Sequence, residues 1–481
     1  MNLAMLLDMA ADGLGDRVAI GSRDGGITYE GLRRAASAAA ARLDGTGATS
    51  LVLTLPNGPV LPVALFGAAW AGVSYAPVNF RLPDAVRKEM IERLQPAVVI
   101  DDETAWLAGA AAEGELRAFP DDPDRPAVLL FTSGTSAAPK AAVLAHDQLL
   151  AYIFNTVEFA AAGDDEAVLL AVPPFHIAGV AAVLSSTYAG RRIVPLPRFT
   201  AEDWIVTARD EQVTHAFVVP TMLARIVAAM EADESLRVPT LRHLAYGGAR
   251  TPAPVLERAL HLFPATGFVN AYGLTETSST VSVLGPDDHR AAHESDDPAV
   301  KARLSSVGRP VPGIEVIVVA DDGAECAPNE KGEVRIRGAQ VSGEYVGVQS
   351  QRDRDGWLHT GDRGWLDAEG YLFVEGRGDD TIIRGGENLS PAEIEDTLLR
   401  HPAVGHAAVV GLPDEEWGEK VAAMVTPVPG ATIDVEELQA WTREHLGSIK
   451  TPEVVALADE LPHTATGKIL RRQIRQELAE Q

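Results

Sequence analysis

Short apolar runs alternate with helix-length amphipathic stretches from about Ala127 onward. This alternation is typical of a parallel sheet covered by helices, so this part of the chain is predicted to be α/β. The candidate strands are "AVLLF", "AVLLAV", "RRIVPL", "HAFVV" and "LRHLAYGG". Between them, apolar residues recur at three- and four-residue spacing and predict the helices "HDQLLAYIFNTVEFA", "AEDWIVTARDEQ", "PTMLARIVAAMEA" and "PAPVLERALHLF".

The pattern changes after about Gly332 to short β-like pieces separated by glycines, such as "GEVRIRG" and "GYLFVEGR". These pieces are typical of antiparallel strands joined by tight turns. From about Asp380 two predicted helices, "SPAEIEDTLLRH" and "DVEELQAWTREHL", flank the strands "HAAVVGL" and "KVAAMVTPV". This last region is therefore predicted to be a small α+β unit, and the glycine-rich step "GRGDDTIIRGG" before it suits a hinge.

The length, the net charge and the cysteine count limit the number of domains, the class of partner and the cellular compartment that the sequence allows. A chain of 481 residues exceeds what one hydrophobic core usually supports, so at least two domains are expected. The formal net charge of -27 repels phosphates and anionic lipid, which argues against a nucleic-acid partner. The single cysteine, Cys326, excludes an intramolecular disulfide and fits a reducing compartment, so a cytoplasmic location is predicted.

Neither the start of the chain nor its longest apolar tract predicts membrane insertion. The start "MNLAMLLDMAADGLGDR" has early acids and no basic region, so it is predicted to be an amphipathic helix and not a signal peptide. The longest apolar tract, from Leu61 to Val78, is bounded by prolines and broken by glycine. It suits a buried helix better than a membrane span.

The stretch "LLFTSGTSAAPKAAVLAH" places a β-run before hydroxyl residues, a glycine and a lysine. Such residues expose backbone amides to an anion, and lysine supplies a mobile charge, so the chemistry suits a triphosphate. The stretch is not a Walker loop, because G-x-x-x-x-G-K-[ST] has no match here. Taken alone, it is also compatible with an ordinary polar turn between a strand and a helix.

Three further stretches carry candidate chemistry, each with a plainer alternative. In "NAYGLTETSS", Thr275 could donate to a phosphate and Glu276 could hold magnesium, or the stretch is a simple strand-to-loop turn. Asp362 in "LHTGDRGW" could accept ribose hydroxyls, or it is a β-turn acid. Lys468 in "TATGKILRR" could enter a site on a mobile loop, or it marks a solvated helix start.

Taken in order, "TSGT...PK", "PPFH", "YGLTE", "TGDRG", "GRGDD...GGEN" and "TGK" resemble the adenylate-forming superfamily. That superfamily includes acyl- and aryl-CoA synthetases, peptide-synthetase adenylation domains and beetle luciferases. The resemblance covers residues 27 to 472 and implies ATP, Mg²⁺ and coenzyme A as cofactors. It also implies a large N-terminal domain of α/β subdomains with a β-barrel-like part (residues 1–378) and a small mobile α+β C-terminal domain (379–481), hinged at Asp379.

The resemblance implies a role for each matched residue. A carboxylate would attack the α-phosphorus of ATP, and a thiol would then displace AMP from the acyl-adenylate. Lys468 would bridge the carboxylate and the α-phosphate, Thr275 would contact the α-phosphate, Glu276 would coordinate magnesium, and His176 of "PPFHIAG" would gate the acyl pocket. The residues implied to surround the β- and γ-phosphates are Thr132, Ser133, Gly134, Thr135, Ser136 and Lys140.

The resemblance also implies contacts to the rest of the nucleotide and to the thiol arm. Asp362 and Arg377 would hold the ribose hydroxyls. The residues expected around adenine are Gly248, Ala249, Arg250, Asn270 and Tyr272. Those expected along the pantetheine path, after rotation about Asp379, are Gly385, Gly386 and Asn388.

The phosphate loop departs from the common family pattern "TSGTTGxPKG". Ser136 and Ala137 replace a threonine and a glycine, and Ala141 replaces the glycine after the lysine. Alanine enters left-handed backbone conformations at a cost, so a stiffer loop and weaker use of ATP are expected.

The leading hypothesis is an AMP-forming acyl-CoA synthetase. A stand-alone ligase that loads an acyl carrier protein is an alternative, because both acceptors present a pantetheine thiol, and a non-catalytic nucleotide-binding scaffold is a third. The residues expected to line the acyl pocket are uncharged, which favours a hydrophobic fatty or aryl acid over an amino acid. They are Ile177, Ala178, Val180, Val219, Met222, Gly247 and Val281. Monomer and homodimer are both left open.

Overall fold

The computed structural model describes residues 1–110, 116–122, 125–132, 140–348, 350–384, 387–414, 417–464 and 468–480, without the side chains of Ala110, Asp379, Glu387 and Asn388. The helices are α1 (Ala4–Leu14), α2 (Tyr29–Ala41), α3 (Val60–Ala71), α4 (Asp84–Glu92), α5 (Glu103–Ala110), α6 (His146–Thr156), α7 (Ile177–Ala189), α8 (Ala201–Asp210), α9 (Pro220–Ala232), α10 (Ala253–Leu262), α11 (Pro286–Glu294), α12 (Pro298–Ala302), α13 (Pro391–Leu399), α14 (Val435–Leu446) and α15 (Arg471–Ala479). Short 3-10 turns lie at Thr275–Thr277, Arg303–Ser305 and Gly378–Asp380.

The strands occur throughout the described chain. They are β1 (Val18–Ile20), β2 (Ile27–Thr28), β3 (Ser50–Leu53), β4 (Ser74–Pro77), β5 (Ala97–Ile100), β6 (Pro126–Thr132), β7 (Lys140–Ala145), β8 (Ala167–Leu170), β9 (Arg192–Pro195), β10 (His215–Val218), β11 (His243–Gly247), β12 (Gly267–Leu274), β13 (Ser279–Leu284), β14 (Arg309–Pro310), β15 (Ile314–Val319), β16 (Gly332–Gly338), β17 (Glu344–Tyr345), β18 (Leu358–Leu366), β19 (Leu372–Arg377), β20 (Ile382–Arg384), β21 (Glu387–Leu389), β22 (Val404–Asp414), β23 (Gly418–Pro427) and β24 (Val454–Leu457).

The largest sheet has nine strands in the order β14-β13-β12-β11-β10-β8-β9-β1-β2. Strands β9, β8, β10, β11 and β12 run parallel, and β13 and β14 extend the sheet antiparallel beyond β12. Helices α8, α9 and α10 pack their apolar faces against this sheet, around the buried Trp204 and Tyr246. The carboxyl ends of β11 and β12 therefore lie side by side at one edge, where ligand sites of α/β sheets usually form.

The second sheet has six strands in the order β17-β7-β6-β4-β3-β5. Strands β5, β3, β4 and β6 are parallel, whereas β7 and β17 are antiparallel additions. Helices α1, α2 and α3 cover it with alanine- and leucine-rich faces. The apolar tract from Leu61 to Val78 is thus a buried helix followed by a strand, because Gly72, at φ +67°, ends α3 in a left-handed turn.

Asn57 ties the two large sheets together. Its side chain is 3% exposed, and Nδ2 donates to the carbonyls of Leu170 and Val172 at 3.0 and 3.1 Å. It also reaches the carbonyl of Leu196 at 3.3 Å. These carbonyls lie at or just beyond the ends of β8 and β9, and that of Leu170 also accepts from the Leu196 N–H at 3.0 Å, so the amide adds a side-chain donor to the backbone acceptors at this edge.

The β-rich part predicted after the large sheets is a four-stranded antiparallel sheet in the order β15-β16-β18-β19. It begins at Ile314, ahead of the expected change near Gly332. We call residues 382–479 the C-terminal unit. Its sheet, β21-β20-β23-β22 with β24 parallel to β23, has α13 and α14 on one face and α15 on the other.

The predicted α/β class is confirmed, and each strand and helix predicted between residues 127 and 263 is present within a few residues of its expected bounds. The small α+β unit is also present. Among the described residues, no helix combines the length and apolar character needed to cross a bilayer. The domain boundary at Asp379 stays a prediction.

A buried histidine makes the fold sensitive to acid. His146 is 1% exposed, and its unprotonated Nδ1 accepts a hydrogen bond from the backbone N–H of Leu3 at 3.1 Å. Burial first, and then the N-terminal ammonium, lower the pKa of His146 to about 4. The unfolded chain therefore takes up a proton below pH ~6.5 that the folded chain refuses, so stability falls as the pH drops from ~6.5 towards 4.

We predict that His146→Asn flattens this dependence, because Asn Oδ1 accepts the same hydrogen bond without titrating. Between pH ~6.5 and ~5.5 the wild-type chain should lose about 1 kcal/mol more unfolding free energy than the variant, as measured by urea titration. The exposed His261→Asn is the control and should follow the wild type. Equal pH slopes for His146→Asn and the wild type would contradict the account.

Candidate active site

The adjacent ends of β11 and β12 carry several predicted nucleotide contacts. A Cβ on Gly247 would lie 2.1 Å from the carbonyl oxygen of Ala271, so only glycine permits this close pairing of the strands. Gly248 follows at φ +81° and turns the chain away from the sheet. On β12, Asn270 donates from Nδ2 to the carbonyl of Ser306 at 3.0 Å, which fixes the orientation of its amide.

Asp362 lies in β18 beside Arg377 of β19, and the two residues are direct register partners. The Asp362 side chain is 8% exposed. Its Oδ1 pairs with Nε of Arg377 at 3.0 Å, and its Oδ2 accepts from the Tyr272 hydroxyl at 2.6 Å. Arg377 is oriented in turn by a 2.6 Å bond to the carbonyl of Thr360.

These contacts set the electrostatics of the Asp362 carboxylate. Burial raises its pKa, while the charge of Arg377 and the hydrogen bond from Tyr272 act in the opposite direction. Burial and the nearby Asp362 charge raise the pKa of Tyr272 well above its ordinary value, so this phenol stays a donor. Each carboxylate oxygen has one protein donor and keeps a lone pair for a further hydroxyl, as a ribose site requires.

Lys468 comes from the C-terminal unit and lies near this carboxylate. Its backbone N–H donates to Thr464 Oγ1 at 3.0 Å, and its carbonyl accepts from the Thr464 N–H at 2.7 Å. The residue is exposed to solvent, yet protein atoms lie around its side chain. This partial burial, and then the charge of Arg377, lower the pKa of Lys468, while Asp362 and Asp380 act against them.

Glu276 lies in the 3-10 turn after β12, and one segment, residues 342–345, fixes both its backbone and its side chain. Its carbonyl accepts from the backbone N–H groups of Ser342 and Gly343 at 2.8 and 3.2 Å. Its carboxylate accepts a hydrogen bond from the Tyr345 hydroxyl. The negative charge of Glu276 raises the pKa of Asp362, so the two carboxylates interact across the same site.

The turn after Glu276 is conformationally strained. Ser278 and Ser279 have φ values of +55° and +110°, in a region that residues with a Cβ enter at a cost. Ser278 is fully buried, and its Oγ has no hydrogen-bond partner among the described residues. The surrounding structure therefore imposes this turn, and with it the placement of Glu276.

The stem of the predicted phosphate loop is a hairpin. Thr132 ends β6 and Lys140 begins β7, and the two residues are register partners. The Lys140 ammonium lies 6.0 Å from the ring centroid of Tyr345. Ser133, Gly134, Thr135 and Ser136 lie outside the described residues, so their phosphate contacts and the effect of the sequence departures stay predictions.

His176 precedes α7 and has an apolar environment. Its ring centroid lies 5.2 Å from that of Phe175. Nε2 is buried and has no hydrogen-bond partner among the described residues. Burial first, and then the charge of Arg81, lower the pKa of His176 to about 4. The imidazole is therefore neutral near pH 7, which suits the predicted gate better than a proton carrier.

The structure places Arg250 at a contact that the sequence did not indicate. Its Nη1 donates to the carbonyl of Ala392 at 2.9 Å, and its Nη2 pairs with Asp396. Both partners lie on α13, so the guanidinium joins the N-terminal part of the chain to the C-terminal unit. The adenine contacts of Gly248, Ala249 and Arg250 stay predictions.

The structure brings two groups of predicted residues together. The first group contains Tyr272, Asp362, Arg377 and Lys468. The second contains Thr132, Lys140 and Glu276, whose side chains all adjoin that of Tyr345. Gly385 and Gly386 lie outside the described residues. Asn388 pairs with Ile383 through the backbone, and its side chain is not described. Sequence reasoning missed Tyr345 as a site residue, although "SGEYVG" offered a signal in an aromatic residue set among glycines.

The side chains of Glu276 and Lys140 suit the binding of magnesium together with ATP. Among the described residues, no group of three or more His, Cys, Asp or Glu side chains could hold a metal ion alone. Glu276 and the cationic Lys140 both contact the Tyr345 side chain. Mg²⁺ commonly binds one or two protein carboxylates and takes its remaining ligands from phosphate and water. The arrangement therefore suits a metal that arrives with a polyphosphate.

Comparison with known proteins agrees with this geometry. Residues 7–346 match the AMP-binding enzyme family, and residues 393–468 match the AMP-binding enzyme C-terminal domain. A feruloyl-CoA synthase from Amycolatopsis sp is 34% identical over 440 residues, 87% of each chain. The fatty acid–[acyl-carrier-protein] ligase ScoC from Streptomyces coeruleorubidus is 34% identical over 444 residues, 85% of this chain and 83% of the relative.

A solved structure extends the similarity over nearly the whole chain. The o-succinylbenzoate CoA synthetase MenE from Bacillus subtilis, in complex with its acyl-adenylate intermediate, superimposes with a TM-score of 0.82 at 28% identity. The match covers 98% of this chain and 97% of the synthetase. The ordered motifs, the converging side chains and both family matches lead to one conclusion: the chain belongs to the adenylate-forming family of AMP-binding enzymes.

Proposed function

We propose that the chain is an AMP-forming acid–thiol ligase that activates a hydrophobic carboxylic acid with ATP and transfers the acyl group to coenzyme A. The observation that carries the proposal is the convergence of Asp362, Arg377 and Tyr272 with Lys468. A buried carboxylate with free lone pairs beside two cations suits a nucleotide whose ribose and α-phosphate lie a few ångströms apart. The scaffold alternative is set aside because the matched family is one of enzymes.

In the proposed adenylation step, Asp362 and Arg377 orient the ribose. Thr132, Ser133, Gly134, Thr135, Ser136 and Lys140 surround the β- and γ-phosphates, and Thr275 donates to the α-phosphate. Glu276 would hold Mg²⁺, which neutralises phosphate charge. Lys468 contacts the attacking carboxylate and the α-phosphate, where negative charge accumulates as the new bond forms, so positioned cations lower the barrier.

The second step transfers the acyl group to a thiol. We propose that the C-terminal unit rotates about Asp379, withdrawing Lys468 and bringing Gly385, Gly386 and Asn388 to the pantetheine path. Rotation would break the contacts of Arg250 with Ala392 and Asp396, which are exposed or partly buried polar contacts of modest strength. Such contacts stabilise the position of the C-terminal unit described here, but they are weak enough to be broken by its rotation.

An aryl acid is the proposed substrate class. Ile177, Val219 and Met222 are half-buried, and none carries charge. Val180 and Val281 are fully buried in two separate core clusters, so their side chains are not free to contact a substrate in this arrangement. Relatives are named for feruloyl, 2-succinylbenzoyl and indoleacetyl substrates, all of which contain an aromatic ring.

The acceptor is proposed to be free coenzyme A, with an acyl carrier protein as the alternative that ScoC supports. Relatives named as a feruloyl-CoA synthase and an indoleacetate–CoA ligase support coenzyme A as the acceptor. A fatty acid as substrate, a cytoplasmic location, and a monomeric or homodimeric state stay predictions.

A pyrophosphate-release assay over aryl, medium-chain fatty and amino acids, with ATP and Mg²⁺, tests this proposal. We expect an aryl acid to give the fastest release, with sustained turnover only when coenzyme A is present. Fastest release with an amino acid, or turnover only with a carrier protein, would contradict the proposed substrate or acceptor.

Asp362→Asn keeps the shape of the side chain but loses its charge, and should lower kcat/KM for ATP roughly ten- to hundredfold.

The pH dependence of kcat/KM for ATP tests the role of Lys468, because this parameter reports groups of the free enzyme. Partial burial and Arg377 lower the pKa of Lys468, so the ammonium loses its proton at a lower pH than usual. As the pH rises, kcat/KM for ATP should therefore begin to fall before the ordinary lysine value of ~10.4 is reached. In Lys468→Arg, whose guanidinium does not titrate, the residual activity should lack this alkaline decline. An alkaline limb unchanged by the substitution would assign it to another group.

A further inference from the structure

The Tyr345 hydroxyl lies where the predicted phosphate loop and the predicted metal ligand meet. Tyr345 is 9% exposed and donates a hydrogen bond to Glu276 Oε1. Among the described residues, no hydrogen bond or ion pair engages Oε2 of this carboxylate. One oxygen of Glu276 is thus held by the protein, while the other is left for a further ligand.

The backbone around Tyr345 is fixed on both sides. Strand β17 pairs antiparallel with β7, with Tyr345 opposite Ala142, and the N–H of Val346 donates to the carbonyl of Ala141 at 2.9 Å. Just before β17, the N–H groups of Ser342 and Gly343 donate to the carbonyl of Glu276. The same short segment therefore joins the strand after the phosphate loop to the turn that carries Glu276.

The Tyr345 side chain also contacts the two ends of the phosphate loop. The Lys140 ammonium lies 6.0 Å from its ring centroid, within the range of a cation–π interaction. The Thr132 hydroxyl lies within hydrogen-bonding reach of the phenol oxygen. Burial and the charge of Glu276 raise the pKa of Tyr345, so the phenol keeps its proton and remains a donor.

We propose that Tyr345 is a positioning residue that orients the Glu276 carboxylate for Mg²⁺ and supports Lys140 beside the same phosphates. Hydrogen bonds to ligating carboxylates typically change metal affinity tenfold to a hundredfold, because they pay the ordering cost before the metal arrives. The inference rests on the proposed use of Mg·ATP. It adds a residue that holds the metal ligand and does not itself contact the metal.

The test is Tyr345→Phe in the full chain, which keeps the ring and removes the hydroxyl. ATP binding is measured by calorimetry over a range of Mg²⁺ concentrations and again in EDTA. We expect the Mg²⁺ concentration for half-maximal ATP affinity to rise about tenfold or more, with little change in binding without metal. Adenylation should be slowed at low Mg²⁺ and largely restored at high Mg²⁺, while thioester formation from supplied acyl-adenylate is unchanged.

Tyr371→Phe is the matched control. The Tyr371 side chain is 3% exposed, and its hydroxyl donates to Asp288 at 2.7 Å, away from the site. This variant loses a similar tyrosine–carboxylate bond, so it should keep the wild-type Mg²⁺ dependence.

A double-mutant cycle with Glu276→Gln distinguishes an effect of Tyr345 that acts through Glu276 from a general loss of structure. In the Glu276→Gln background, adding Tyr345→Phe should not shift the Mg²⁺ dependence further. The inference would be overturned if the half-maximal Mg²⁺ concentration of Tyr345→Phe lay within twofold of the wild-type value. It would also be overturned if Tyr345→Phe shifted this concentration equally in the wild-type and Glu276→Gln backgrounds. Mg²⁺-independent ATP use by the wild type would instead overturn the proposed function.

Discussion

The Asp362 carboxylate must stay charged although only 8% of its side chain is exposed, and much of the site is arranged around this constraint. Burial alone would favour the neutral acid, so Arg377 and Tyr272 approach one oxygen each. Their positions in turn require β18 and β19 to pair in register and β12 to end beside them. Lys468 then adds a cation from the C-terminal unit.

The site joins sheets that are separate in the fold. Tyr272 comes from the nine-stranded sheet, Asp362 from the four-stranded sheet and Lys140 from the six-stranded sheet. Ordered connections hold them in place: the Asn57 amide links the two large sheets, and Tyr345 links the phosphate-loop hairpin to Glu276. Because three sheets share the site, small displacements between them change its chemistry, which suits an enzyme with two successive steps.

Much of the fold could be predicted from the sequence because β8, β9, β10 and β11 are apolar runs separated by helices, and the later strands are short pieces set between glycines. Strands β3 and β4 were missed, since their four residues each are buried on both faces and show no alternation. Periodicity does not distinguish such runs from the end of a buried helix. The tract ending at Val78 was accordingly expected to be helical throughout.

Sequence motifs mark Asp362 and Glu276 as candidate site residues because their chemistry is local to a motif, and their roles stay predictions. The candidate site was not predictable where a contact depends on distant pairing. The bond from Tyr345 to Glu276 exists because β17 pairs with β7, and Arg250 contacts α13 because two parts of the chain adjoin. Single-sequence patterns do not encode such long-range register.

We propose that Lys468, delivered by the C-terminal unit, completes the adenylation site beside Asp362 and is not needed for thioester formation. The most direct measurement is the rate of each half-reaction in Lys468→Ala, with acyl-adenylate formation and its thiolysis by coenzyme A followed in separate single-turnover experiments. The account predicts that adenylation collapses while thiolysis of supplied acyl-adenylate proceeds near the wild-type rate. Equal loss of both half-reactions would contradict it.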